Sequence, residues 1–295
     1  MPIAVADPQL RHRAEAAGAR LPPLQVAAER VAATVVQGIH GRRRVGQGDS
    51  FWQYRNYEFG DSATQIDWRQ SARSQRLFVR QNEWEAAQTV WLWRDASPSM
   101  RYGSDKSVQP KIDRAELLLV ALTSLLVRAG ERVALLGSGQ PPTFGRFAVE
   151  RMTELVMRRE GSLGNLPAVE RLPRHARVVL FGDFLAPLAE IDAIVRGLAT
   201  AGLKGHLVQV IDPAEIALPF TGRVLFEGLE GEAPLLVSRV ETIREAYRER
   251  FALHSAGLAD VARAAGWTHA THHTDWPPHQ ALLALYGALT QREGP

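Results

Sequence analysis

The sequence is organised around the stretch Gln88-Thr-Val-Trp-Leu-Trp-Arg-Asp-Ala-Ser-Pro-Ser-Met100, an apolar run that ends in Asp95, Ser97 and Ser99. Its first half has the composition of a buried β-strand. Its second half places one carboxylate and two hydroxyls where that strand ends, and alternate residues of an extended segment point the same way. Ligands of open α/β sheets bind just outside the carboxyl ends of the strands, so these oxygens form a candidate site.

Short apolar runs alternate with helical segments through the rest of the chain. This alternation predicts an α/β fold of Rossmann-like type, with a mostly parallel sheet covered by helices on both faces. Residues 213–239 contain short strand-like pieces among glycines and prolines, and we expect a hairpin inserted in the pattern. The predicted strands are 89–94, 133–137, 178–181, 206–211 and 267–271, and the predicted helices are 112–128, 146–159, 188–201, 240–265 and 277–291.

The segment before residue 86 has a different character. Residues 1–40 are predicted to form N-terminal helices, the second of which starts at Pro22-Pro23. Aromatic-rich strands at 51–57 and 77–80 predict a small β subdomain over residues 41–85. The chain therefore divides into these two segments and a main α/β domain over residues 86–295.

Composition excludes several classes of function. The 295 residues are 45% hydrophobic and 23% charged, which is ordinary for a globular protein. The net charge is only +3 and acidic residues are interspersed with the basic ones, so nucleic acid is not the expected partner. The absence of cysteine excludes disulfides and thiol catalysis. No targeting segment or membrane span is evident, and we expect a soluble, cytoplasmic protein.

A second acidic strand end strengthens the candidate site. Asp183 follows the predicted strand 178–181, and two neighbouring parallel strands would bring it to the same sheet edge as Asp95. A hard cation such as Mg²⁺ prefers oxygen ligands of this kind. The alternative is that Asp95, Ser97 and Ser99 are turn and cap residues, for which aspartate and serine are favoured in any case.

Seven short segments between residues 46 and 99 form a pattern that resembles a known family. The segments are Gly46-Gln-Gly-Asp-Ser-Phe51, Tyr54-Arg-Asn-Tyr57, Gly60-Asp61, Ile66-Asp-Trp68, Ser71-Ala-Arg73, Leu77-Phe-Val79 and Asp95-Ala-Ser-Pro-Ser99. They closely resemble the bacterial family catalogued as domain-of-unknown-function family fifty-eight. The resemblance is tight over residues 41–100, and the order of the later elements extends it towards the C-terminus.

The resemblance implies a fold, a cofactor and a partner. Members of the family look like von Willebrand factor A domains, which implies a metal-ion-dependent adhesion site (MIDAS) that binds Mg²⁺ or Mn²⁺. On that pattern Ser97 and Ser99 contact the cation, while Asp95 and Asp183 act mainly through water. Ser162 is the nearest substitute for the threonine that usually completes such a site.

The family also implies a cellular role. Its genes commonly neighbour those of MoxR-type AAA+ ATPases, which implies an adaptor or co-chaperone that works with such an ATPase on an unidentified client protein. Many members carry two N-terminal membrane helices that this sequence does not show, so membrane attachment is not inherited from the resemblance.

The family-specific residues before the site have two interpretations. They either form a charge network that fixes a loop, with Trp68 and Tyr57 packed against it, or contact a partner directly. The residues concerned are Arg55, Tyr57, Gly60, Asp61, Asp67, Trp68 and Arg73.

Three hypotheses of function follow from these observations. The first is a non-enzymatic, metal-dependent protein-interaction module. The second is a hydrolase or phosphatase with Asp95 as nucleophile, although Ser97 stands where such enzymes generally have a second acid. The third is an interaction domain that binds no metal.

Overall fold

The structure is a computed structural model, and it describes residues 23–40, 51–57, 66–73, 76–82, 88–105, 109–158, 164–168 and 170–290. The chain forms two compact units. The larger comprises Met1–Ile39 with Gln88–Pro295, and the smaller comprises His40–Ala87. The predicted helix that starts near Pro22-Pro23 is present as α1 (Pro23–His40), and its Ala28, Ala32 and Val35 belong to the core of the larger unit.

The larger unit alternates strands and helices after residue 88. The strands are β3 (Thr89–Arg94), β4 (Arg132–Leu135), β5 (Arg177–Gly182), β6 (Lys204–Ile211), β7 (Val224–Phe226), β8 (Leu235–Val237) and β9 (Thr268–His273). The helices are α3 (Lys111–Arg128), α4 (Phe147–Met157), α5 (Leu188–Thr200), α6 (Pro213–Ala217), α7 (Arg244–Ala264) and α8 (Pro278–Thr290), with 3₁₀ turns at Pro98–Arg101 and Val240–Thr242.

Five of these strands form one parallel sheet in the order β4-β3-β5-β6-β9. The chain runs from β3 outward to β4 on one side and then crosses to β5 on the other side. The order therefore reverses between β3 and β5, where Leu92 pairs with Val179 and Arg94 with Phe181. In doubly wound sheets this switch point opens a crevice at the carboxyl ends of the two strands.

Alternate residues of each central strand face opposite helical layers. Val179 and Phe181 of β5 pack with α1, α3, α4 and α8 on one face of the sheet. Val178 and Leu180 pack with α5 and α7 on the other face. Because both faces are covered, the strands are apolar on both sides and appear in the sequence as continuous apolar runs. The predicted α/β, Rossmann-like class with helices on both faces is confirmed.

One close contact fixes β6 against its neighbour. A Cβ on Gly205 would lie 2.2 Å from the Trp267 ring, so β6 has room only for glycine there. The indole N–H of Trp267 donates to the carbonyl of Leu203 at 3.0 Å, which anchors the ring over the glycine. Trp267 thereby sets the packing at the start of β9.

The smaller unit contains an antiparallel pair, β1 (Phe51–Asn56) and β2 (Phe78–Asn82), with an irregularity in the register between Phe51 and Gln53. A one-turn helix, α2 (Trp68–Ser71), precedes β2 and is capped by Asp67, whose side chain accepts from the Gln70 N–H at 2.9 Å. The Ser71 hydroxyl then accepts from the Phe78 N–H at 2.9 Å, which ties the helix to β2.

The insertion between β6 and α7 has more structure than predicted. Residues 213–239 contain the expected hairpin, β7 paired antiparallel with β8, and also the short helix α6. Pro213 at the first helical position and the Asp212 cap explain this helix. Among the described residues, no helix combines the length and the apolar character that crossing a bilayer requires.

Candidate functional site

The candidate site lies at the switch point of the sheet. Asp95 directly follows β3 and Asp183 directly follows β5. The Asp95 N–H donates to the carbonyl of Phe181 at 2.8 Å, so the β3–β5 ladder continues up to the first site residue. Gly182 makes this approach possible, because a Cβ there would lie 3.0 Å from the Cβ of Asp95.

A chain of hydrogen bonds joins the four oxygen-bearing side chains. The Ser97 N–H donates to Asp95 Oδ1 at 2.7 Å. The hydroxyls of Ser97 and Ser99 lie 3.0 Å apart, and the Ser99 hydroxyl donates to Asp183 Oδ2 at 2.8 Å. The structure thus brings together Asp95, Ser97, Ser99 and Asp183, although 84 positions of the sequence separate Ser99 from Asp183.

The second oxygen of Asp95 has an unusual environment. Asp95 is fully buried, and within the described parts of the chain its Oδ2 has no hydrogen-bond partner. Burial and the neighbouring charge of Asp183 raise the pKa of Asp95 from 3.8 to about 6, although hydrogen bonds from the Ser97 side chain and backbone act in the opposite direction. Burying a carboxylate oxygen without a partner costs free energy, so a cation or a proton would stabilise Asp95 Oδ2.

Lys111 supplies a positive charge at the same place. It is the first residue of α3 and is completely buried. Its Nζ lies 2.9 Å from Asp183 Oδ2 and 2.5 Å from Glu215 Oε1. Burial alone would lower the pKa of Lys111, but the charges of Asp183 and Glu215 outweigh burial and leave that pKa above its usual value.

A third strand end contributes through α6. Asp212 follows β6 and forms a capping box with Glu215, in which Asp212 Oδ1 accepts from the Ala214 N–H and Glu215 Oε2 accepts from the Asp212 N–H. Asp212 Oδ2 also accepts from the Ser104 N–H at 3.0 Å. The capping box therefore holds Glu215 in place as the second partner of Lys111.

Our sequence interpretation did not include Lys111, Asp212 or Glu215. The capping box was visible in the sequence, since Asp212-Pro-Ala-Glu215 follows a predicted strand. Lys111 stands out only as a lysine in a chain with 35 basic residues that are nearly all arginine. Nothing in the sequence places its ammonium group against two carboxylates that lie 72 and 104 residues away.

The loop after Asp183 has a strained backbone. Phe184 adopts a positive φ of 51°, which is rare for a bulky residue. Its ring is buried, and its carbonyl lies 2.7 Å from Nε2 of His254 in α7. Strain of this kind persists where the surroundings hold it in place, and it is frequent beside functional sites.

The donor set fits a hard cation. The site offers carboxylate and hydroxyl oxygens, the ligand types that Mg²⁺ prefers, and the 3.0 Å between the two serine hydroxyls is about the edge of an octahedron of Mg²⁺ ligands. The unpartnered Asp95 Oδ2 would also be stabilised by a cation, as it would by a proton. Among the described residues no three carboxylate or imidazole groups converge as a ready metal cluster, so a cation here would depend on the serines. Ser162 lies outside the described residues.

The family-specific residues of the smaller unit are partly described. Gly60, Asp61 and the side chain of Arg55 lie outside the described residues. Trp68 begins a one-turn helix and is 63% exposed, which favours the interpretation of partner contact over packing against a charge network. The other three are Tyr57, which is half-buried, Asp67, which caps α2, and Arg73, which is exposed.

Curated relatives exist in mycobacteria. The chain is 28% identical over 247 residues to an uncharacterized protein of Mycobacterium bovis and to one of Mycobacterium tuberculosis. Each match covers 79% of this chain and 77% of the relative.

Solved structures align with the chain only loosely. One is an aerotolerance-related membrane protein from Bacteroides fragilis, with 14% identity, coverage of 68% of this chain and 98% of that chain, and a TM-score of 0.41. Another is the conserved hypothetical protein BatB from Bacteroides thetaiotaomicron, with 11% identity, coverage of 69% and 98%, and a TM-score of 0.39.

A family assignment covers well over half of the chain. Residues 53–257 match the family described as "Protein of unknown function DUF58", a span that includes β3, Asp95, Lys111, Asp183 and Glu215. The chain belongs to this family of proteins of unknown function, DUF58.

Proposed function

We propose that the protein is a metal-dependent interaction module of von Willebrand A-like type, whose cation site is formed by Asp95, Ser97, Ser99 and Asp183. The observation that carries this proposal is the buried, unpartnered Asp95 Oδ2 beside a second carboxylate and two hydroxyls. Such a group of oxygens is stabilised by a hard cation.

Each residue has a distinct part in this proposal. Ser97 and Ser99 hold Mg²⁺ or Mn²⁺ directly, and Asp95 and Asp183 hold it mainly through water. A carboxylate of a partner protein would then complete the coordination of the cation. Ser99 is half-buried whereas Asp95 and Asp183 are buried, so a partner approaches from the Ser99 side.

The proposed partner is a MoxR-type AAA+ ATPase, with the chain acting as adaptor or co-chaperone for a client protein. This choice rests on the gene neighbourhood that the family resemblance implies, and the chain's membership of the DUF58 family is consistent with it. The 63% exposure of Trp68, a family-specific residue, adds a candidate contact on the smaller unit.

The hydrolase alternative has less support than the binding function. A nucleophilic carboxylate must reach its substrate, and Asp95 is fully buried with one oxygen engaged by the Ser97 N–H. The metal-free interaction domain is favoured by a different observation, namely that Lys111 already supplies a cation to Asp183. Partner capture in EDTA tests the metal-free alternative, and incubation with phosphate esters tests the hydrolase.

The test combines calorimetry with partner capture. Mg²⁺ and Mn²⁺ are titrated into wild type, Asp95→Ala and the surface control Asp192→Ala, and capture of the purified ATPase is measured with and without EDTA. We expect wild type and the control to bind metal and to capture the ATPase only with metal, whereas Asp95→Ala does neither. Equal capture in EDTA would contradict the metal requirement, and turnover of phosphate esters would favour the hydrolase.

A further inference from the structure

Among the described residues of the candidate site, Lys111 supplies the positive charge. Asp95, Asp183 and Glu215 supply three carboxylates, and the Lys111 ammonium contacts two of them. All three acidic residues are at least largely buried, so their charges are poorly screened. The position of the Lys111 ammonium group therefore determines how strongly the remaining carboxylate charge attracts a second cation.

We infer that Lys111 is an internal counter-ion that competes with the divalent cation for Asp183, and that metal binding shifts its ammonium group onto Glu215. This inference rests on the proposed function, because it concerns the regulation of the same site.

The lysine and the divalent cation compete for one oxygen atom, Asp183 Oδ2. Asp183 Oδ2 accepts both from the Ser99 hydroxyl at 2.8 Å and from Lys111 Nζ at 2.9 Å. A cation held by Ser99 would lie close to this oxygen and would repel the ammonium group at short range. The two positive charges therefore favour different arrangements of the same carboxylate.

Glu215 gives Lys111 an alternative partner. The ammonium already contacts Glu215, so Lys111 keeps a counter-ion when Asp183 turns to the metal. A lysine left without any partner in this buried place would be strongly destabilised. The flexible lysine stem lets the ammonium move between the two carboxylates without a change in the backbone.

The capping box connects this movement to a surface loop. Glu215 Oε2 holds the Asp212 N–H, and Asp212 Oδ2 holds the N–H of Ser104, which is exposed. A change in the pairing of Lys111 with Glu215 is therefore passed from Glu215 to Asp212, and from Asp212 to the backbone of residues 103–105. The loop beside the metal site can in this way respond to metal binding.

The experiment compares metal affinity in two variants with opposite expected effects. Mn²⁺ is titrated calorimetrically into wild type, Lys111→Met, Glu215→Gln and the control Arg196→Met, which removes an exposed partner of Asp192 on α5. Lys111→Met removes the competitor, so we expect roughly ten-fold tighter Mn²⁺ binding, within the usual range of coupling between sites. Glu215→Gln keeps the capping box but confines the ammonium to Asp183, so we expect weaker binding.

The possible outcomes distinguish a failure of this inference from a failure of the proposed function. Tighter binding by Lys111→Met, including binding that wild type lacks, supports the competition. Equal affinities in wild type and both variants overturn the competition but leave the metal site intact. Absence of Mn²⁺ binding in all the proteins overturns the metal site and the competition together. If Lys111→Met fails to fold, Glu215→Gln decides, since an unchanged affinity overturns the inference.

Discussion

Lys111 Nζ lies 2.9 Å from Asp183 Oδ2, and both side chains are buried. The two residues are 72 positions apart in the sequence, since Lys111 is the first residue of α3 and Asp183 directly follows β5. Their contact places an ammonium group at the edge of the sheet where the family resemblance implies a divalent cation. We therefore expect both the stability of the protein and the proposed metal response to depend on this pair.

The first prediction concerns stability without metal. Lys111→Met leaves the buried carboxylates of Asp183 and Glu215 without a counter-ion, so we expect the free energy of unfolding in EDTA to fall by about 3–5 kcal/mol. Urea unfolding at neutral pH measures this loss. The control Arg196→Met breaks an exposed pair with Asp192, and we expect it to cost less than about 1 kcal/mol. Similar losses in the two variants would contradict the structural role of Lys111.

The second prediction concerns pH. Burial and Asp183 raise the pKa of Asp95 from 3.8 to about 6. The folded state then binds the proton more tightly than the unfolded state, so Asp95 lowers stability as pH rises from about 4 to 6. The loss amounts to about 3 kcal/mol above pH 6. Asp95→Asn removes it, and we expect this variant to be more stable than wild type at pH 7 in EDTA.

The measurement for Asp95 is a series of urea unfolding curves from pH 4 to pH 7.5. The difference between Asp95→Asn and wild type is expected to grow with pH and to level off above pH 6. Saturating Mg²⁺ is expected to reverse the order at pH 7, because only the wild-type carboxylate is stabilised by the cation. A difference that does not change with pH would rule out an Asp95 pKa near 6.

The third prediction compares two glycines. A Cβ on Gly182 would lie 3.0 Å from the Cβ of Asp95, so Gly182→Ala displaces the aspartate. We expect a loss of about 1–3 kcal/mol in stability and weaker Mn²⁺ binding. Gly197 is the matched control, since it is exposed on α5 and a Cβ there meets nothing within 4 Å. Gly197→Ala is expected to stabilise the helix by about 1 kcal/mol and to leave Mn²⁺ affinity unchanged.

The fourth prediction concerns the acid limb of stability. Burial, with a smaller effect from Arg177, lowers the pKa of His206 from 6.5 to about 4. The unfolded state binds this proton first, so stability is lost as pH falls from 6.5 through 4, by about 3 kcal/mol. In His206→Gln we expect the loss between pH 7 and pH 4 to shrink by that amount. Parallel stability curves for wild type and variant would show that His206 does not contribute.

The sequence predicted the sheet well because its signals are local. Apolar runs bounded by polar residues mark strands that are buried on both faces, and the predicted strand 89–94 coincides with β3. The helix at 188–201 was predicted within one residue of α5. The prediction of 240–265 as one helix missed the 3₁₀ turn at Val240–Thr242, where the helical geometry tightens before α7 begins.

The sequence by itself determined the α/β class and the two strand-end acids, Asp95 and Asp183. Both signals are local, because an apolar strand and the polar residues that end it lie within a few positions of each other. Only the tertiary structure decided that the ammonium group of Lys111 contacts Asp183. The contact of Lys111 with Asp183 and Glu215 joins α3, the end of β5 and α6, and such a contact depends on packing between distant segments. A sequence pattern records residue types at short spacing, whereas the charge balance of a buried site is set by every group that the fold brings to it.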